Sequence, residues 1–389
     1  MSHPPHLQGT IAASGPHAFA KVGCSTPVEA TMAEPHAGSA RVEAPQRLSA
    51  SRLSQWGERV FAALGSPPRE AAQVARGLVQ ANLFGHDSHG IGLVPQYADN
   101  VAAGHARPGR ELRVVHDAGA LLTLDADKGF GQVLGEAAMS LAIARVREHG
   151  CAVVGLSNSH HLGRIGQWGE QVASSGFVSV HFVNVRSRPI VAPWGGTDAR
   201  VSTNPFCVAV PHSPHPLVLD YATAAVALGK TRVAVDEDRR MADGLLLDRS
   251  GHPTNDPNVM WGERIGAILP FAEHKGWALA VMCELLGGAL SGGRVQDGAT
   301  IHPMLNNMLT LAFDPSRLGT ASALAPQIER LAGWVRASPP MDGCNGISLP
   351  GEPEHRTADA RSREGIPIAR KTLDSLNTVA RRLRVDELK

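Results

Sequence analysis

At 389 residues the chain is too long for one small domain, and a rule of roughly 150 residues per domain predicts about two or three. Hydrophobic residues make up 43% and charged residues 19%, a globular balance that excludes a disordered or collagen-like chain. With 37 Lys and Arg against 36 Asp and Glu the net charge is +1, which draws the protein to neither nucleic acid nor an anionic membrane and points to small-molecule work.

Residues 1–46 carry six prolines, scattered Gly and Ser and no sustained apolar period, and are expected to be a tail without a stable fold. Organised sequence begins near Ser49. Leu53, Trp56, Val60 and Leu64 recur at spacings of three and four before Gly65, which predicts an amphipathic helix. After Pro67 and Pro68 a second helix sets Ala71, Val74, Leu78 and Ala81 on one face. It leads into a polar turn, Gly85-His86-Asp87-Ser88-His89-Gly90.

From about residue 120 short β-like runs appear at Leu121–Leu124, Val153–Leu156, Val178–Val185, Phe206–Val210 and Leu217–Leu219, with a helix at Glu136–Glu148. Trp277–Leu290 reads as a buried helix; it carries Glu284 and falls short of the ~20 residues that span a bilayer. A less regular stretch to Pro350 follows, then a closing helix Ile368–Leu383 after Pro367. The expected division is a helical domain from residues 47–115 plus 355–389 and a strand-rich cofactor-binding and substrate domain from 116–354.

Two glycine patterns imitate nucleotide sites. Gly129, Gly131 and Gly135 follow a strand and open a helix, but the last spacing is one residue too long. The next strand ends in Leu156-Ser157-Asn158 with no acid for a ribose hydroxyl, so close helix packing accounts for these glycines as well. Gly229-Lys230-Thr231 resembles the end of a phosphate-binding loop, but Ala224 stands where that loop needs glycine. The five cysteines, Cys24, Cys151, Cys207, Cys283 and Cys344, form no Cys-x-x-Cys pair and read as buried free thiols in a reducing compartment. The N-terminus shows no secretory signal, so a cytoplasmic location is expected.

Eighteen histidines include the pairs His86 with His89 and His160 with His161. A metal site is disfavoured, because Gly85 and Gly90 break the helix that would align His86 and His89, and no Cys or paired carboxylate completes a tetrahedron. Core-satisfied histidines and general acid–base groups remain as readings, and composition does not choose between them.

Five segments in order narrow the choice. They are Asp87-Ser88-His89-Gly90-Ile91 with Pro95 and Tyr97, then Asn158-Ser159-His160-His161-Leu162-Gly163, then Val191-Ala192-Pro193-Trp194-Gly195-Gly196 with Thr203-Asn204-Pro205. Leu219-Asp220-Tyr221-Ala222-Thr223 and His274-Lys275-Gly276-Trp277 with Glu284 complete the set. Together they resemble the malate/L-lactate dehydrogenase family that is distinct from the ordinary Rossmann-type enzymes, over residues about 48 to 385. Within it, Gly163-Arg164-Ile165-Gly166 and Asn204-Pro205-Phe206-Cys207 look most like the hydroxycarboxylate dehydrogenase branch, which is linked to phenylpyruvate-type 2-oxo acids.

The resemblance implies a non-Rossmann α/β fold, a cofactor between domains, a homodimer, and reversible NAD(P)-dependent interconversion of a 2-hydroxy and a 2-oxo acid. Proton transfer falls to His89, with Asp220 orienting a histidine, holding a cofactor group or capping a helix. Substrate contacts are expected at His161, Arg164, Thr203 and Asn204. Cofactor contacts are expected at His89, Gly163, Arg164, Ile165, Val218, Leu219, Asp220, Tyr221, Ala222, His274, Asn306, Pro350 and Gly351. The branch tilts towards NAD, although the sequence does not separate it from NADP. Leu93 stands where many members have an arginine suited to the substrate carboxylate. That departure favours an apolar or aromatic monocarboxylate over malate, with Arg164 or a backbone amide taking the carboxylate. Lactate, ureidoglycolate or a cyclic imino acid as substrate, and a non-catalytic dinucleotide-binding role, are the competing readings.

Overall fold

A computed structural model describes residues 45–298 and 304–389; most of the expected tail therefore lies outside the described residues. Its last expected residue, Gln46, does not: strand β1 (Gln46–Leu48) pairs antiparallel with β12 (Ile366–Ile368), and Leu48 is buried. The closing helix consequently starts two residues later than the sequence suggested, as α10 (Arg370–Leu383).

Helix α1 (Ala50–Ala63) begins where the Ser49 hydroxyl accepts a hydrogen bond from Arg52 N at 3.2 Å, and it ends at Gly65, whose φ of +95° suits only a residue without Cβ. It buries Leu53, Trp56, Val60 and Phe61 against α2 (Pro68–Leu83), where a proline occupies the first turn and costs no backbone hydrogen bond. Together with α3 (Val94–Ala102) and α10, these helices enclose one apolar core fed from both ends of the chain. Tyr97, Phe61 and Phe130 lie in it with edge-on or stacked rings 5.5–6.0 Å apart.

The central sheet has seven strands in the order β2 (Arg113–Ala118), β3 (Leu121–Asp125), β4 (Cys151–His160), β11 (Leu305–Phe313), β5 (Val178–Arg186), β6 (Phe206–Val210) and β7 (Leu217–Tyr221). Only β3 and β4 run parallel, joined by α4 (Gly131–His149); every other pairing is antiparallel. A doubly wound parallel sheet is thereby excluded, in keeping with the non-Rossmann expectation. The glycines of the false fingerprint are close-packed: a Cβ on Gly131 would lie 2.3 Å from the His161 carbonyl oxygen, and one on Gly135 2.7 Å from the Trp168 ring.

Helices α4 and α5 (Gly166–Ala173) cover one sheet face. On β5 and β11 lies a continuous helix that is α-helical over α7 (His274–Met282) and a π-helix over Cys283–Leu290. It is not wholly buried, because Met282, Leu285 and Leu290 are exposed. A smaller lobe with its own apolar core contains α6 (Leu228–Asp236) and a three-stranded sheet of β8 (Leu246–Leu247), β9 (Pro253–Thr254) and β10 (Ala267–Ile268). Helices α8 (Ala321–Arg336) and α9 (Glu352–Glu364) complete the chain's described elements. Of the cysteines, Cys207 and Cys283 are buried free thiols as expected, Cys151 is free but exposed, and Cys344 is disulfide-bonded.

Candidate active site

Asp87–His89 forms a single 3-10 turn between Gly85 and a second turn at Ile91–Leu93. The turn is held from outside. Asn82 donates to Asp87 Oδ1 at 2.5 Å and accepts from Ile91 N at 2.7 Å, while Arg361 donates to both Asp87 oxygens. A Cβ on Gly90 would fall 2.2 Å from Asn82 Oδ1, so the close approach requires glycine there. Asp87 is therefore a fixture of the turn, and His89 is what the turn presents.

His89 Nδ1 lies 2.9 Å from the Ser88 hydroxyl, and its ring stacks on His161 with centroids 5.4 Å apart. Burial, then the neighbouring His86 and Arg164, lower its pKa to about 4. His161 sits deeper, with Nδ1 2.7 Å from the Tyr97 hydroxyl, and burial together with His89 and His160 holds it well below the usual histidine range. Two stacked imidazoles in a desolvated site cannot both carry charge. His160 faces the other way, bonded to Asn100 at 2.9 Å and wedged among Tyr97 and Phe130; burial lowers it to about 3. The doubled histidine thus splits into one site residue and one core residue.

Beside this pair runs a cleft lined by His86, Arg164, Glu170, Val218, Asp220, Gly351 and Glu354. Arg164 is buried, donates to Glu170 at 2.5 Å, and lays its guanidinium over the Phe84 ring at 4.3 Å. Among the described residues its Nε has no partner. Asp220 accepts from Gly166 N at 2.6 Å, which caps the first turn of α5 and leaves a second oxygen for the cleft. The Ala-rich segment after Thr223 does not become helical until Leu228, so the capping that Asp220 performs serves a different helix from the one expected. Gly351, at φ +92°, starts α9 close against Val218, and Pro350 O accepts from Val218 N at 3.1 Å.

Of the other expected cofactor contacts, Gly163 adjoins Arg164 in the loop that ends β4, Ile165 points into the sheet core, and Leu219 is half-exposed. Tyr221 packs between Phe206 and Phe271, and Ala222 packs on the small lobe. His274 is exposed at the start of α7 and lies outside the cleft lining. Asn306 accepts from Leu162 N at 2.7 Å, so its side chain shapes the loop from behind. Thr203 offers its carbonyl to Thr223, whose N and Oγ1 both donate to it.

Asn204 is fully buried, accepting from Val185 N and donating to Glu284 Oε1 at 2.8 Å and to Ala280 O. Glu284 also accepts from Asn184 and Gln296 N, and Asn307 ties Asn184 to Asn158 N. Asn204 thus has its side-chain amide bonded within the protein, whereas Thr203 is engaged through its backbone carbonyl. Sequence reasoning missed His86, Glu170 and Glu354 as cleft residues and Gln132 as a partner of Tyr97; none carries a spacing signal. Among the described residues no three His, Cys, Asp or Glu side chains gather as a metal site, and no described helix is long and apolar enough to cross a membrane.

The family model described as malate/L-lactate dehydrogenase matches residues 48–377. Over 351 residues the chain is 46% identical to hydroxycarboxylate dehydrogenase B of Escherichia coli (strain K12), covering 89% of this chain and 97% of that one. It is 38% identical to L-lactate dehydrogenase of Cupriavidus necator over 318 residues, 79% of this chain and 90% of the relative. The solved malate dehydrogenase of Pyrococcus horikoshii OT3 superposes with a TM-score of 0.80 at 29% identity, covering 90% of this chain and 99% of that one.

Proposed function

The chain belongs to the malate/L-lactate dehydrogenase family and is a 2-hydroxyacid dehydrogenase; from that premise we propose that it interconverts an apolar or aromatic 2-hydroxy monocarboxylate and its 2-oxo acid with NAD, using His89 as the proton carrier. The carrying observation is the stacked His89–His161 pair beside a cleft that joins Arg164 to Asp220.

The residues fit a nicotinamide dinucleotide. Arg164 Nε is a buried donor without a partner among the described residues, suited to a phosphate or ribose oxygen. Asp220 offers an acceptor for a hydroxyl, and Gly351 lines the cleft at the start of α9. Glu170, Asp220 and Glu354 outnumber Arg164 in the cleft, so a further phosphate would meet repulsion, which supports NAD over NADP. When bound, the nicotinamide supplies or accepts the hydride.

His89 moves the proton. With Nδ1 engaged by Ser88, Nε2 is the nitrogen left for the substrate oxygen. At neutral pH the imidazole is uncharged, so it is ready as the base that takes the hydroxyl proton in oxidation. In reduction it must first be protonated, and the carboxylate of the arriving 2-oxo acid favours that by placing a negative charge beside it.

Arg164 is ion-paired with Glu170, which weighs against its taking the substrate carboxylate. The carboxylate finds a better partner in the first turn of α6. That turn rests on the His89 turn, with Gly229 so close that a Cβ would lie 3.1 Å from Ser88 Cβ, and no side chain caps its free N–H groups. Leu93, half-buried on the helical core, supplies no second cation, which favours a monocarboxylate. Exposed Met282, Leu285 and Leu290 support a homodimer through the outer surface of the helix that carries them.

The test follows NADH and NADPH absorbance with pyruvate, phenylpyruvate, hydroxyphenylpyruvate, glyoxylate and oxaloacetate. Phenylpyruvate-type acids with NADH should give the highest kcat/KM. Oxaloacetate as the best substrate would overturn the monocarboxylate reading.

A further inference from the structure

Burial pushes the Tyr97 hydroxyl well above its ordinary pKa, so it keeps its proton. It meets two partners. Gln132 Nε2 donates to it at 2.9 Å, and His161 Nδ1 lies 2.7 Å away. Since the amide group is the donor to the phenol oxygen, the phenol proton is directed at His161, and Nδ1 of that ring must accept it. A neutral imidazole that accepts at Nδ1 carries its own proton on Nε2. Nε2 makes no hydrogen bond among the described residues and is not among the buried unpartnered atoms, whereas Nδ1 of His160 is. The donor therefore faces the open side of the site, next to the His89 ring.

Gln132 is braced for this task. It lies in the first turn of α4; its backbone carbonyl accepts from Gln73 Nε2 at 3.1 Å, and its side chain occupies the space that a Cβ on Gly77 would fill, 2.6 Å from its Cγ. Two adjoining helices thus hold one amide against one phenol.

We infer that Tyr97, braced by Gln132, is a positioning residue that holds the proton of His161 on Nε2, so that this histidine donates a hydrogen bond to the substrate while His89 alone exchanges the proton. The inference rests on the dehydrogenase reading for its substrate and on the hydrogen bonds alone for its tautomer. Two stacked histidines with interchangeable protons could each act as base. Fixing one of them as a donor divides the roles, and substrate is oriented by one ring and titrated by the other.

The experiment is 15N NMR of histidine-labelled full-length protein at pH 7, paired with steady-state kinetics. Wild-type His161 should show an unprotonated Nδ1 and a protonated Nε2. Tyr97→Phe should release it to a mixture of tautomers and lower kcat/KM about tenfold, the scale of one lost hydrogen bond. Gln132→Glu should reverse the tautomer, because the carboxylate accepts the hydrogen bond of the Tyr97 hydroxyl and His161 must then donate from Nδ1; this keeps the inference open to test if Tyr97→Phe folds poorly. A wild-type Nδ1–H tautomer overturns it, as does a folded Tyr97→Phe protein with an unchanged tautomer. Absence of turnover in wild-type protein whose His161 carries Nε2–H counts against the dehydrogenase reading and leaves the positioning role of Tyr97 standing.

Discussion

Two polar clusters sit at the same end of the central sheet, where β4 and β5 stop and β11 begins. One contains Asn158, Asn184, Asn204, Glu284, Gln296 and Asn307, and its amides and carboxylate are spent on one another and on backbone. The other contains His89, His161, Arg164 and Asp220, and there the bonds stop short: among the described residues Arg164 Nε has no partner, and one nitrogen of each histidine is uncommitted. Both clusters hold residues from the same family motifs. A motif residue is free to act on a substrate only where the fold has not already used its hydrogen bonds. A closed network specifies backbone geometry, and an open one is left to bind.

That contrast is sharpest under substitution. His89→Ala should lower kcat/KM about a thousandfold while leaving NADH binding, read by fluorescence titration, and thermal stability nearly unchanged. For 2-hydroxy acid oxidation the wild-type kcat/KM should be flat at neutral pH and fall with a midpoint near the His89 pKa of about 4, since the base is lost on protonation. Glu284→Ala should do the reverse, costing about 3 kcal/mol in urea denaturation because three N–H donors, two of them buried, lose their acceptor. A Glu284→Ala protein of native stability but without turnover would dissolve the distinction between the clusters.

Smaller effects refine it. His160 and His181 are buried and uncharged, each with its pKa lowered to about 3 by desolvation. The unfolded chain binds their protons below pH 6.5 and the folded chain does not, so stability should decline as pH falls from 6.5 towards 3. Each contributes a slope of about 1.4 kcal/mol per unit, measurable by denaturant titration across that window. A flat profile there would show that these rings titrate in the folded state. Leu93→Arg should shift preference towards oxaloacetate over phenylpyruvate by about tenfold, and an unchanged ratio would place the carboxylate elsewhere.

Much of the fold is legible in the chain. The apolar period of α1 and α2, the proline and glycine that bound them, and strand β6 are read to within a residue or two. Other elements hide their signals. Every residue of β2 is exposed, so it lacks alternation; β11 carries Asn306 and Asn307, and α8 has Pro326 in its middle. Helix α9 has almost no apolar face, although its first turn brings Glu354 to the cleft.

The sequence by itself determined the reaction class, through the order of five motifs, and the local shapes that glycine, proline and hydrophobic spacing dictate over a few residues. Only the tertiary structure decided that His161 rather than His160 faces the site, that the side chains of Asn204 and Asn306 are bonded within the protein, and that Tyr97 and Gln132 reach His161. Those outcomes depend on contacts between segments 35 to 144 residues apart. No local pattern encodes whether a polar atom will meet a partner from elsewhere in the chain or be left for a ligand.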